Sequence, residues 1–157
     1  SLVGAGPLEV GDVAPEFSLP DQAGATITSA ALAGAPYVLY FYPKDDTPGC
    51  TREACDFQKE NKSFAAAGLR VVGVSPDSTE RHARFRAKYK LGFTLLADTE
   101  RTLAEAYGVW VMKQSYGRQY MGIQRSTFLV GADGRLQRVW RNVRVNGHVS
   151  QVLEATR

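Results

Sequence analysis

Cysteine is nearly absent from this 157-residue chain: Cys50 and Cys55 are the only two. Two thiols make no disulfide scaffold, so redox chemistry is their expected use. Histidine is as scarce, with His82 and His148 alone. Two scattered imidazoles and two thiols lack a metal-ligand spacing, so no metal and no cofactor is expected. Both histidines are predicted to be surface residues, His82 on a charged helix and His148 near the end. The apolar run Tyr37 to Pro43 falls far short of the roughly 20 residues a membrane span needs. A net charge of +3 with no basic run or basic–aromatic interleaving argues against a nucleic-acid surface. Ser1 to Pro7 has no charged leader region, so it does not read as a signal peptide. No repeat or low-complexity segment is visible. What remains is an ordinary soluble composition, 44% apolar, long enough for one domain with a full core.

The patterning alternates strands and helices. Tyr37–Tyr42 is a continuous aromatic and β-branched run, the mark of a buried central strand. Thr47-Pro48 reads as an N-cap followed by proline at the first helical position, and the helix is predicted to run to about Ala67 and end at Gly68. Leu69–Val74 is a second buried strand. Ser78 or Thr79 caps a helix through Lys90; Phe93–Ala97 is a short strand; Asp98 or Thr99 caps a helix through Tyr107. Gly24–Thr28 suggests another short strand. Gly108–Gly122 reads as a loop. Ser126–Val130 and Leu136–Trp140 flank Asp133-Gly134, a hairpin signal, and His148–Ala155 is a closing helix. Strand–helix alternation followed by an antiparallel hairpin predicts an α/β domain of three layers, α/β/α, with a central mixed sheet. Its reactive site is expected beyond the carboxyl ends of the strands, where Cys50 falls after the strand ending at Tyr42.

A thiol at a helix start is favoured as thiolate, because free N–H groups and the helix dipole stabilise negative charge. Thr47, three residues before Cys50, can turn its hydroxyl toward the sulfur, Pro43 can shield it from water, and the amides of Gly49 and Cys50 can donate to an oxygen beside it. A cation is also needed. Arg52 is near in sequence; Arg125, opening the strand Ser126–Val130, is the stronger candidate. Glu53 reads either as a partner of that arginine or as a helix-surface carboxylate. Trp110, Tyr116 and Tyr120 read as surface or core packing, or as a pocket for a larger substrate. In an ideal helix, residues five apart have Cα atoms about 8.7 Å apart on faces some 140° apart, whereas a disulfide needs about 7 Å or less. Cys50 and Cys55 therefore cannot bond inside an intact helix.

Pro43-x-x-x-Thr47-x-x-Cys50, and the string Thr-Pro-Gly-Cys-Thr-Arg-Glu-Ala-Cys, resemble the peroxiredoxins, specifically the Q-type or bacterioferritin comigratory subgroup. Val10-Gly-Asp-x-Ala-Pro-x-Phe, Val72-Gly-Val-Ser-Pro-Asp-Ser and Gly122-Ile-x-Arg-Ser-Thr-Phe-Leu-Val are similar to the same family in the same order, so the resemblance spans nearly the whole chain. It implies a thioredoxin-like fold over residues 1–157, with 1–8 as a flexible lead-in. Cys50 would be the peroxidatic cysteine, Thr47 and Arg125 would orient the peroxide, Pro43 would shape the pocket, and Cys55 would be the resolving cysteine. The implied substrate is a hydroperoxide, and the partner a thioredoxin or similar dithiol reductant. A monomer in the cytoplasm or a similarly reduced space is the expected setting, with no nucleic acid or membrane. A rival thioredoxin-type oxidoreductase would want Cys-x-x-Cys and a proline before the late hairpin, whereas the last proline is Pro76. A glutathione peroxidase-like enzyme lacks its Trp-Asn-Phe-type segment. A peroxide sensor passing oxidation to a partner would share the Cys50 chemistry; a holdase would not need it.

Overall fold

The computed structural model describes residues 7–157; the expected flexible lead-in falls mostly on residues 1–6, outside them. The elements in chain order are β1 (Ser18–Pro20), β2 (Thr26–Thr28), α1 (Ser29–Leu32), β3 (Tyr37–Phe41), α2 (Pro48–Lys59), α3 (Asn61–Ala66), β4 (Arg70–Ser75), α4 (Thr79–Lys88), β5 (Thr94–Ala97), α5 (Thr102–Ala106), β6 (Trp110–Ser115), β7 (Arg118–Ile123), β8 (Ser126–Val130), β9 (Leu136–Trp140) and α6 (His148–Ala155). The central sheet has the order β5-β4-β3-β8-β9. β3, β4 and β5 are parallel, while β8 is antiparallel to β3 and β9 to β8. This is the mixed sheet that the sequence pattern predicts.

β3 is buried on both faces, and its alternation splits the interior in two. Val38, Tyr40 and Tyr42 join Ala54 and Phe57 of α2, Phe64 of α3, Phe85 of α4 and Val152 of α6. Leu39 and Phe41 join Leu103 and Tyr107 of α5, Phe128 of β8 and Ile123 of β7. The sheet therefore carries helices on both faces, and its middle strand delivers the chain to the start of α2.

Three sequence expectations change. The long helix expected through Ala67 breaks at Glu60, which closes α2 and opens α3 with φ −100° and ψ 8°. The bend lets Phe64 pack on Phe57, ring centroids 5.9 Å apart, and Gly68 at φ +82° ends α3 as expected. The helix expected from Asp98 starts later, at Thr102. The Asp98 carboxylate still caps it from a distance, accepting from the amides of Leu103 and Ala104 at 3.1 and 2.8 Å. The segment 108–122, read as a loop, is a hairpin of β6 and β7 in continuous register from Trp110↔Ile123 to Ser115↔Arg118. Its two-residue turn is Tyr116-Gly117, both at positive φ (52° and 77°). Turns of that kind favour Asn-Gly or Asp-Gly, so tyrosine in the first position concealed it.

Candidate active site

The site is assembled where β3 ends. Tyr42 continues the strand for one more residue, its amide bonded to the Val74 carbonyl at 3.1 Å, and Pro43 stops it. The loop that follows is braced on α4. Asp45 donates its amide to Asp77 at 2.7 Å, and its carboxylate accepts from Tyr42 Oη and His82 Nδ1. Asp46, at φ 59°, accepts from Lys88 Nζ at 2.8 Å and Tyr89 Oη at 2.7 Å.

Thr47 occupies the N-cap of α2, as expected, but its side chain makes no cap bond. Its hydroxyl instead donates to the Lys44 carbonyl at 2.8 Å. The first turn-closing bond of the helix runs from Thr51 N to Thr47 O, so the amides of Gly49 and Cys50 precede the helical ladder.

Cys50 is buried and Cys55 half-buried, both as free thiols on α2. Arg125 lies just before β8, its backbone held by a bond from Val143 N to its carbonyl at 2.8 Å. Its guanidinium makes two contacts: Nη1 donates to Glu53 Oε1 at 2.7 Å, and Nη2 points to Cys50 Sγ at 3.5 Å. Gly49 makes room for this, because a Cβ there would stand 3.2 Å from Arg125 Nη2. The alternative cation, Arg52, turns away to Asn146 at 3.0 Å. Of the two readings of Glu53, the arginine partner is the one observed: the carboxylate is fully buried. Burial lifts its pKa to about 7 against the opposing pull of Arg125. Glu53 Oε2 and Tyr40 Oη are both buried without a partner among the described residues. Burial raises Tyr40 well above its usual value, helped by the charges of Glu53 and Cys50. Burial and the neighbouring Asp56 raise Cys55 as well.

Neither histidine is a surface residue. His82 is fully buried and His148 nearly so, because each has a polar partner that no local pattern reveals. His82 Nδ1 meets Asp45 Oδ2 at 2.6 Å and Nε2 meets the Leu96 carbonyl at 2.9 Å. His148 bonds to Thr127 Oγ1 at 2.7 Å, and burial followed by the Arg125 charge lowers its pKa to about 4. Asp45, Asp77 and His82 are close enough to suggest a metal site. A 2.6 Å contact leaves no room for an ion between His82 and Asp45, since two ligands of one metal sit about 3 Å or more apart. The cluster is a brace. Of the three aromatic residues considered for a pocket, Tyr116 is fully exposed at the hairpin turn, Tyr120 is about half exposed and Trp110 packs against the core.

A free thiol at the first turn of a helix, touched by a guanidinium and set at the carboxyl end of a thioredoxin-like sheet, defines a protein of thiol-based redox chemistry. The chain belongs to the AhpC/TSA family, whose model matches residues 10–139. It is 49% identical over 147 residues to peroxiredoxin Bcp of Bacillus subtilis and 42% identical over 147 residues to that of Escherichia coli, covering 94% of both chains in each pair. Among solved structures it superposes on Xanthomonas campestris peroxiredoxin Q with a TM-score of 0.88 at 42% identity, covering 95% of this chain and 94% of that one. A cysteine-to-serine mutant of Xylella fastidiosa PrxQ gives 0.91 at 34% identity, covering 96% of each. The chain is accordingly a thiol peroxidase.

Proposed function

We propose that Cys50 reduces hydroperoxides through a sulfenic acid, that Cys55 resolves it as an intramolecular disulfide, and that a thioredoxin-like dithiol restores both thiols. The observation that carries this reading is the guanidinium of Arg125 shared between Glu53 and Cys50. A cation in that position stabilises the attacking sulfur and the oxygen that leaves. The Cys50 thiolate attacks the terminal oxygen of ROOH; the O–O bond breaks, RO⁻ departs and takes up a proton, and the sulfur becomes Cys–SOH. Cys55 then attacks that sulfur, forming the S–S bond and releasing water.

Thr47 has one hydroxyl proton, and it is committed to Lys44. The oxygen is therefore turned outward as an acceptor for the O–H of the peroxide. Arg125 and the amides of Gly49 and Cys50 supply the opposing donors, and Pro43 screens the sulfur from water. Burial, and after it the charge of Asp56, helps hold Cys55 as a thiol, which directs peroxide to Cys50. The chemistry calls for no metal or cofactor. Alkyl peroxide reduction activity is ascribed to the bacterioferritin comigratory protein of Xanthomonas campestris, whose structure this chain matches, and that supports extending the substrates beyond hydrogen peroxide. A resolving thiol on the same helix needs no second chain, so the working unit is a monomer. Recycling by a dithiol suits the cytoplasm or another reducing space, and no described helix is long and apolar enough to cross a membrane.

Single-turnover oxidation by hydrogen peroxide, read by mass and thiol count, tests the assignment. The wild type is expected to lose both thiols to one internal disulfide. Cys55→Ser should stop at sulfenic acid or beyond, and Cys50→Ser should be inert. Oxidation of Cys50→Ser at the wild-type rate would reverse the roles. Disulfides to a partner protein in place of turnover with a dithiol would favour a peroxide sensor.

A further inference from the structure

The charge of this chain is unevenly spread. Between Ala106 and Leu153 there is one acidic residue, Asp133, against seven basic ones. That stretch supplies Arg125 and the β6–β7 hairpin, and the hairpin itself carries no carboxylate. On the hairpin, Lys113 is paired across the strands with Tyr120, and Val111 with Gly122. Yet the Lys113 stem does not lie over its own partner alone. A Cβ on Gly122 would stand 3.2 Å from Lys113 Cδ and 3.5 Å from Cε. The side chain therefore leans along β7 away from the Tyr116-Gly117 turn, in the direction of Arg125 three residues on. Glycine at 122 leaves the track on which the stem lies.

Lys113 makes no salt bridge or hydrogen bond among the described residues, although it is only partly exposed. Burial lowers its pKa and Arg125 lowers it further, while Cys50 acts in the opposite sense. The two cations oppose each other, and the sulfur offsets part of that opposition. Arg125 is matched by Glu53 at 2.7 Å, whereas Lys113 has no acid of its own among the described residues, and an arriving anion supplies one. Tyr120, half exposed on the same face of the hairpin, offers apolar surface next to the ammonium.

We propose that Lys113 forms a substrate subsite, whose ammonium, at the end of a stem that leans along β7 toward Arg125, binds the carboxylate of hydroperoxides that carry one. The organic body of such a substrate lies against Tyr120, with its O–O group reaching Cys50. This rests on the peroxidase reading and adds a specificity determinant to it.

The test compares cumene hydroperoxide bearing a para-carboxylate with its methyl ester, a pair of equal reach differing in charge. kcat/KM is measured for both in the wild type, Lys113→Met and Lys113→Arg. The wild type is expected to prefer the acid by about fivefold, the worth of one partly solvated ion pair. Lys113→Met keeps the stem and should bring the ratio to about one, whereas Lys113→Arg should retain the preference. The ratio within each variant cancels any general loss of activity. Equal rates for acid and ester in the wild type would overturn the proposal, as would a preference that survives in Lys113→Met. Wild-type oxidation by hydrogen peroxide, measured alongside, reports on the peroxidase reading by itself: if Cys50 reacts with it but acid and ester are indistinguishable, only the subsite falls.

Discussion

Arg125 touches two side chains at once, Glu53 and Cys50, and its removal should have two separable consequences. Arg125→Ala takes a positive charge from the sulfur and should slow Cys50 oxidation by about 100-fold or more, the usual worth of a lost transition-state donor. It also strands Glu53, a fully buried carboxylate, and breaking one side of a buried ion pair costs about 3–5 kcal/mol. Adding Glu53→Gln should return much of that stability and none of the rate. Denaturant midpoints and stopped-flow oxidation rates on the single and double variants check this; recovery of the rate in the double variant would mean that Arg125 acts on Cys50 only through the fold. Cys55 invites the converse experiment. Asp56 contributes to its raised pKa, after burial, so Asp56→Asn should lower it and speed disulfide formation about two- to fivefold at neutral pH without altering the first oxidation step. How far such roles can be read in the sequence varies by residue. Cys50, Thr47 and Pro43 lie within eight positions and stand out as a unit. Arg125 is 75 positions from Cys50, and its place at the opening of the strand Ser126–Val130, together with the family pattern around it, pointed to the site. Glu53, His82 and His148 could not be placed by local pattern, because burying a polar side chain depends on a partner that the fold brings from elsewhere: 72 positions away for Glu53 and 37 for His82.

At the scale of an element, α2 is built to open at one end only. Both cysteines lie within it, so the proposed disulfide requires its first turns to unwind. The boundaries of that unwinding follow from what is fastened. Upstream, Asp45 and Asp46 are tied to α4 through His82, Lys88 and Tyr89. Downstream, Phe57 is fully buried with its ring stacked 4.5 Å from Tyr40. Between them the one long-range side-chain tie outside the site, among the described residues, is the exposed bond from Arg52 to Asn146. Amide hydrogen exchange should therefore quicken over about residues 49–55 on oxidation, while the amides of 57–59 stay protected. Equal protection across 48–59 in both redox states would rule out this hinge. The helix start was legible in the sequence, since Thr-Pro supplies cap and first turn together. Its division at Glu60 was not, because no breaker residue marks it and the bend serves the contact between Phe57 and Phe64. The β6–β7 hairpin was missed for a similar reason, its turn being tyrosine-glycine where asparagine-glycine would have announced it.

For the molecule as a whole, two buried groups near the site pull the pH dependence of stability in opposite directions. His148 has a folded pKa of about 4 against an ordinary value near 6.5. Between those values the unfolded chain holds a proton that the folded one does not, so stability rises with pH there and is fully present above 6.5. Glu53 has a folded pKa of about 7, above the ordinary carboxyl range. From that range up to 7 the folded chain holds the proton, so stability falls as pH rises. Each group contributes a slope of about 1.4 kcal/mol per pH unit at most, and across roughly pH 4.5 to 6.5 the two oppose each other. The pair should therefore leave the wild type nearly flat in that window, with each slope exposed by removing the other group. Relative to the wild type, Glu53→Gln should gain stability as pH rises from 4.5 to 6.5, and His148→Asn should lose it, by on the order of 2 kcal/mol each over the interval. Urea unfolding at four or five pH values gives the difference curves directly, and only their slopes matter, since each substitution also shifts stability by a constant. Parallel curves for the three proteins would mean that neither group changes its proton on unfolding. Slopes of opposite sign would show that the charge of Arg125, which lies against Glu53 and reaches His148, is set in surroundings where a basic and an acidic neighbour each tend to the neutral form near neutral pH.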